Sequence, residues 1–110
     1  MKKLRLKLDY LAGPIWHPYY NEATGLSSTG IAAIDRDPVL KNLNDKAQDL
    51  YASYFEFNTE EAAVAFNHAR ARETKTDMLH FLADIKKRIA ELNDGSIQII
   101  DEATEEVENF

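Results

Sequence analysis

Glu73, Asp77, His80 and Asp84 are spaced four, three and four residues apart, which on a helix places all four side chains along one stripe. A histidine among carboxylates at this spacing has the donor types for a metal ion or for general acid–base chemistry. The spacing equally suits a solvated face opposite an apolar one, with Asp84 paired to Arg88 one turn on, or an acidic stripe offered to a basic partner. No HExxH, Gly-rich phosphate loop, nucleophile elbow or EF-hand loop accompanies it. Cysteine is absent, which removes thiolate-bound zinc, a disulfide scaffold and a cysteine nucleophile together. The expectation is a protein that is not an enzyme, holds no metal or cofactor, and uses Asp77, His80 and Asp84 to contact a partner.

A second set of candidates lies in the run Trp16-His17-Pro18-Tyr19-Tyr20. Tyrosine and tryptophan bury much area at low entropic cost and keep a polar handle, so they serve both cores and binding hot spots. Trp16 is expected in the core; Tyr19 and Tyr20, followed by Glu22, are expected at a partner surface. The third set is acidic. Asp101, Glu102, Glu105, Glu106 and Glu108 carry −5 in the last ten residues, leaving −1 on residues 1–100. Such a segment reads either as a mobile solubilising tail or as a docking element that steers a cationic partner, with Glu102, Glu105 and Glu106 as contacts.

The elements that must position these groups follow from hydrophobic period. Residues 3–10, KLRLKLDY, alternate strictly, so Leu4, Leu6, Leu8 and Tyr10 line one face of a strand and Lys3, Arg5, Lys7 and Asp9 the other. Gly13-Pro14 punctuates it, and the aromatic run forms an edge strand limited by Pro18, giving a hairpin. Residues 21–30 read as loop, and Ile31–Ile34 as a short strand or the approach to a helix. Asp37-Pro38 opens a helix to about Phe55, with Leu40, Leu43, Ala47, Leu50, Tyr51 and Tyr54 as its buried stripe.

A further helix is expected from the cap at Asn58-Thr59-Glu60-Glu61 to Asn93. Phe66 falls out of phase with the stripe Met78, Leu82, Ile85, Ile89 and Leu92, and the polar run of residues 70–77 separates them. Either a break lies near residues 70–77, or one long helix packs its halves on different neighbours. Asn93-Asp94-Gly95 ends it, and residues 96–100 form a last strand. The fold class is α+β: a small antiparallel or mixed sheet of three to four strands, with two to three helices on one face. Residues 1–100 form one domain and 101–110 the acidic tail.

At 110 residues and 45% apolar content the chain can build one core but not two. A net charge of −6 repels phosphate backbones, so nucleic acid is not an expected direct ligand. No stretch reaches the roughly 18 apolar residues of a membrane span, and no apolar run follows the basic start as in an export signal. A cytoplasmic location is expected.

Leu8-Asp9-Tyr10, Pro14-Ile15-Trp16, Gly25, and Asp37-Pro38-Val39-Leu40 leading to Leu43 and Tyr51 form a pattern over roughly residues 4–55. In this pattern the chain resembles small bacterial proteins found beside polymorphic or contact-dependent growth inhibition toxins and taken to be their immunity proteins. The resemblance implies a cytoplasmic, non-enzymatic inhibitor of a cognate toxin domain, often a nuclease. The cationic substrate cleft of such a toxin can be plugged by acidic side chains. Two other readings stay open: a regulatory or adaptor domain that pairs with itself, and a metal-dependent enzyme using His80 with Asp77 and Asp84.

Overall fold

The computed structural model describes residues 1–58 and 63–110. Strand β1, Lys2–Leu6, pairs in parallel with β6, Ile97–Asp101, in the register Lys2↔Ile97 through Leu6↔Asp101. A parallel pair needs a crossover, and here nearly the whole chain forms it. The alternation in β1 works as expected: Leu4, Leu6 and Leu8 are buried, and Ile97 joins them from β6. These side chains meet Met78, Leu82, Ile85 and Ile89 of α4, Lys75–Leu92, in one cluster.

β1 stops short of Tyr10 because the chain turns back tightly. Asp9 and Ala12 exchange backbone hydrogen bonds, Leu11 takes φ 56° and Gly13 φ 71°. A Cβ on Gly13 would stand 2.0 Å from the Lys7 carbonyl oxygen, so only glycine fits this return. Beyond it Ile15 bridges Leu6 antiparallel, and the Trp16 amide donates to the Arg5 carbonyl. The expected hairpin is thus reduced to two isolated bridges, Asp9 with Ala12 and Leu6 with Ile15, after which Pro18 leads the chain off the sheet edge.

Residues 21–30, expected as loop, contain part of a hairpin instead. β2, Tyr19–Asn21, pairs antiparallel with β3, Leu26–Ser28. Its turn is closed by the Gly25 amide donating to the Asn21 carbonyl, with φ 70° at Gly25. A single helical turn, α1 (Ala32–Asp35), follows and buries Ile34.

Helix α2, Pro38–Ala52, starts where Asp37-Pro38 requires: the Asp37 carboxylate accepts from the Leu40 amide at 2.9 Å. Leu40, Ala47, Tyr51 and the following Tyr54 are buried as the stripe demands. The same carboxylate takes two bonds from Arg88, Nη2 to Oδ1 at 2.7 Å and Nε to Oδ2 at 3.0 Å, and Arg88 also bonds Glu91. The expected pairing of Arg88 with Asp84 is therefore replaced by one that ties the start of α2 to α4. A planar guanidinium can satisfy a buried capping carboxylate and still reach the surface.

The largest departure from the sequence reading lies after α2. Instead of helix, β4 (Phe55–Asn58) pairs antiparallel with β5 (Ala63–Phe66), Phe55↔Phe66 and Phe57↔Val64. The cap expected at Asn58-Thr59-Glu60-Glu61 lies mostly outside the described residues. Phe66 is out of helical phase because it obeys period two: Phe55, Phe57, Val64 and Phe66 share one face of the hairpin. Asn67 then caps α3 (His68–Glu73) through a bond from the Arg70 amide. The break within residues 70–77 falls at Thr74, whose hydroxyl bonds both the Arg70 carbonyl and the Tyr54 hydroxyl.

Residues 101–110, expected as a tail, fold onto the body. Asp101 ends β6 and accepts from the amides of Ala103 and Thr104 at 3.0 Å, starting α5 (Ala103–Glu108). Ala103 and Val107 are fully buried. Lys86 of α4 pairs with Asp101 at 2.9 Å, and Lys75 bonds the Glu108 carbonyl at 2.7 Å. The architecture is α+β, but the expected three- to four-stranded sheet is replaced, among the described residues, by three two-stranded pairs, one parallel and two antiparallel. No described helix is long and apolar enough to cross a membrane.

Candidate functional site

The candidate surface is organised by α2, which stands between two clefts. On one side Lys41, Asn44 and Asp45 face Gly25, Leu26 and Ser27 of the second hairpin over a floor of Ile15, Ile34 and Leu40, enclosing about 500 Å³. On the other side Lys46, Asp49 and Leu50 face Asp77, His80, Phe81 and Asp84 of α4 across a shallow cleft of about 510 Å³.

The hairpin carries exposed aromatics. Tyr19 is 62% exposed, Tyr20 68% and Leu26 68%, and no residue of β2 is buried. Tyr19 is held at its inner edge, where its ring approaches Gly30; a Cβ there would stand 2.6 Å from it. His17 bonds Ser27 through Nδ1 at 3.1 Å, tying the segment before the hairpin to β3. Glu22 sits in the turn and is exposed. Trp16, expected in the core, is only half-buried, with the Lys7 ammonium 5.1 Å from its ring centre. Ile15 takes the core position beside it, because the bridge to Leu6 turns Ile15 inward.

The α4 side carries the acids. Asp77, His80 and Asp84 are exposed along one edge of the helix, and Asp49 joins them from α2. None of the three carboxylates forms an ion pair among the described residues, whereas Asp37, Asp45, Glu91, Asp101 and Glu102 do. Glu73 does not join them, since the break at Thr74 puts it on α3. Among the described residues no group of three or more His, Asp or Glu side chains comes together in a way that could hold a metal. Asp49 and Leu26 were not singled out from the sequence. Asp49 lies on the flank of α2, and which helix that flank faces is a matter of tertiary packing.

The acids of α5 lie elsewhere. α2 lies along the Asp77 and Asp84 edge of α4, and α5 is held by Lys75 and Lys86 on another edge. Glu102 is exposed and lies 3.5 Å from Arg5 of β1. Glu105 is exposed, and Glu106 stands at the rim of a separate aromatic cleft. Burial raises the Asp101 carboxyl, but the Thr104 hydroxyl and amide and Lys86 outweigh it and hold the group below its ordinary range. Asp101 thus ties the start of α5 to the end of β6 and to Lys86, and is not a free surface charge.

No protein-family model matches the chain, and neither a curated protein nor a solved structure shows significant similarity to it.

Proposed function

We propose that this chain is an immunity protein that binds and neutralises a cognate bacterial toxin domain, a basic nuclease, by covering its cationic cleft. The observation that carries the reading is the acidic cleft between α2 and α4 together with the exposed aromatics of the β2–β3 ribbon. Exposed tyrosines on the β2–β3 ribbon supply apolar anchors, and Asp49, Asp77 and Asp84 supply charge that forms no ion pair among the described residues, although Lys46 lines the same cleft. Anchors with a charged flank are what a tight complex with a basic protein uses for dissociation and association rates respectively. The acids of α5 belong to the reading less directly, because they lie away from both clefts.

The test is co-expression with a nuclease domain encoded beside the chain. The expected result is rescue of growth and a stable complex on gel filtration, weakened by the double substitution Asp77→Lys with Asp84→Lys. Absence of a complex overturns the reading, and unchanged affinity in the double variant removes the α4 acids from it. The reading as a homodimeric adaptor has one observation in its favour: Phe57 is 56% and Val64 59% exposed, side by side on one hairpin face. Sedimentation equilibrium distinguishes it, since the immunity reading expects a monomer in the absence of toxin.

A further inference from the structure

At the far end of α2 from Asp37, Tyr51, Phe55, Phe66 and Phe110 wall a cleft of about 490 Å³, with His68 and Glu106 on its lining. The walls are built by the first hairpin residues after α2, which fold back onto it. Ring centres lie 5.3 Å apart for Tyr51 and Phe55, 5.3 Å for Phe55 and Phe66, and 6.0 Å for Phe66 and Phe110, all steeply inclined to each other. These rings line the cleft, and aromatic faces attract cations.

Glu106 is the one carboxylate on this lining, and it makes no ion pair among the described residues. Apolar surroundings push its carboxyl above the ordinary range and Asp9 pushes it further, with Lys7 opposing. The Tyr51 hydroxyl is pushed up to about 12, first by burial and then by Glu106 and Asp9. One carboxylate, Glu106, therefore lines an aromatic cleft that has no Lys or Arg among its described lining residues, with Asp9 and Lys7 acting on it from outside in opposite senses. A charge kept where the fold gains nothing from it is a mark of a binding site.

We propose that this cleft receives an arginine side chain of a partner protein, its guanidinium lying against the aromatic wall and hydrogen-bonded to Glu106. Arginine suits the site better than lysine because its planar, weakly hydrated head can stack on a ring while bonding a carboxylate edge-on. The proposal deepens the reading of the partner as a basic protein, and it gives Glu106 a role separate from the clefts beside α2.

The experiment titrates the intact chain with N-acetyl-arginine amide and with its neutral isostere N-acetyl-citrulline amide, followed by amide correlation NMR. Arginine amide is expected to shift the amides of Phe66, His68, Glu106 and Phe110, and citrulline amide to bind far more weakly. Glu106→Gln should lower the affinity by about tenfold, the usual worth of a charged hydrogen bond. Glu105→Gln, which removes the same charge one residue away and outside the cleft, should leave it unchanged. Equal binding of citrulline, shifts confined to other residues, no shifts at all, or a Glu106→Gln variant that binds like the parent each overturn the proposal. No toxin is present in this assay, so its failure leaves the proposed function standing, and failure to bind a toxin leaves the cleft standing.

Discussion

The two antiparallel hairpins are alike in local structure and differ in anchoring: β4–β5 packs its base on the core while Phe57 and Val64 stay exposed, and no residue of β2–β3 is buried. β4–β5 is anchored: Phe55 and Phe66 at its base pack against Tyr51, Tyr54 and Phe110, with ring centres 5.3–6.3 Å apart. β2–β3 buries none of its residues and leaves Tyr19, Tyr20 and Leu26 in solvent. An isolated two-stranded hairpin is marginal in water, so each must borrow stability from elsewhere. β4–β5 borrows it from the core and becomes part of it. β2–β3 has its own turn bond, Gly25 to Asn21, and a side-chain tie from outside it, His17 to Ser27, and keeps its apolar surface exposed. Large apolar side chains grouped in solvent are unusual on a monomer, and the proposed partner would cover them.

The contrast can be broken most directly at the anchored hairpin. Phe66→Ala removes the ring shared by Tyr51, Tyr54, Phe55 and Phe110, and should cost about 3 kcal/mol in urea unfolding, near the low end for a large aromatic because Phe66 is half-buried. A cost under 1 kcal/mol would mean that β4–β5 is as loosely held as its counterpart. Asp37→Asn comes next, since it disrupts the tie to Arg88 that holds α2 against α4; the melting temperature should fall by on the order of 10 °C.

That variant also carries a pH signature. Arg88 bonding, more than the opposing effect of burial, holds the Asp37 carboxyl below its ordinary value of 3.8, with the Leu40 amide helping. A depressed folded-state pKa contributes stability that is present above 3.8 and lost as pH falls through the folded value. The parent should therefore lose stability more steeply than Asp37→Asn below about pH 4. Equal slopes in acid melts would show that the pair contributes nothing.

Tyr20→Ala is the counterpart on the exposed hairpin. It should change stability by less than about 0.5 kcal/mol, while weakening toxin binding by about 2 kcal/mol if the ring is an anchor. Calorimetry and a binding isotherm on the same variant read both numbers. A large stability loss would erase the distinction between the hairpins. The smallest effect is expected at Glu106→Gln. Its raised pKa means that folding favours the protonated acid, a contribution present at low pH and lost as pH rises through the folded value. The neutral amide should raise the melting temperature at pH 7 by about 1–3 °C and by less in acid.

What was legible in the sequence was what a few neighbouring residues decide. The alternation of Leu4, Leu6 and Leu8 defined the buried side of β1, Asp37-Pro38 placed the start of α2, and the polar run before Met78 marked either a helix break or a change of packing partner, of which the structure has the break. Local geometry determines each of these: side-chain period, an orphan amide needing an acceptor, or a stripe losing phase. The exposed tyrosines of the second hairpin were also within reach, because Pro18 bars that segment from a sheet interior.

Only the tertiary structure decided the rest. Residues 63–66 have a composition a helix could accept, and they became strand because Phe66 found Phe55 on the paired strand and Tyr51 and Tyr54 beneath. Arg88 chose Asp37, distant in sequence, over Asp84 one turn away, since a partly desolvated capping carboxylate offers more than an exposed one. The acidic terminal segment carried Ala103, Val107 and Phe110 at helical spacing, a short stripe masked by the surrounding acids, and the structure buries Ala103 and Val107 and packs Phe110 on the core. Side-chain charge and period are properties of the chain; which cleft an acid faces is a property of how helices meet, and that depends on every contact at once.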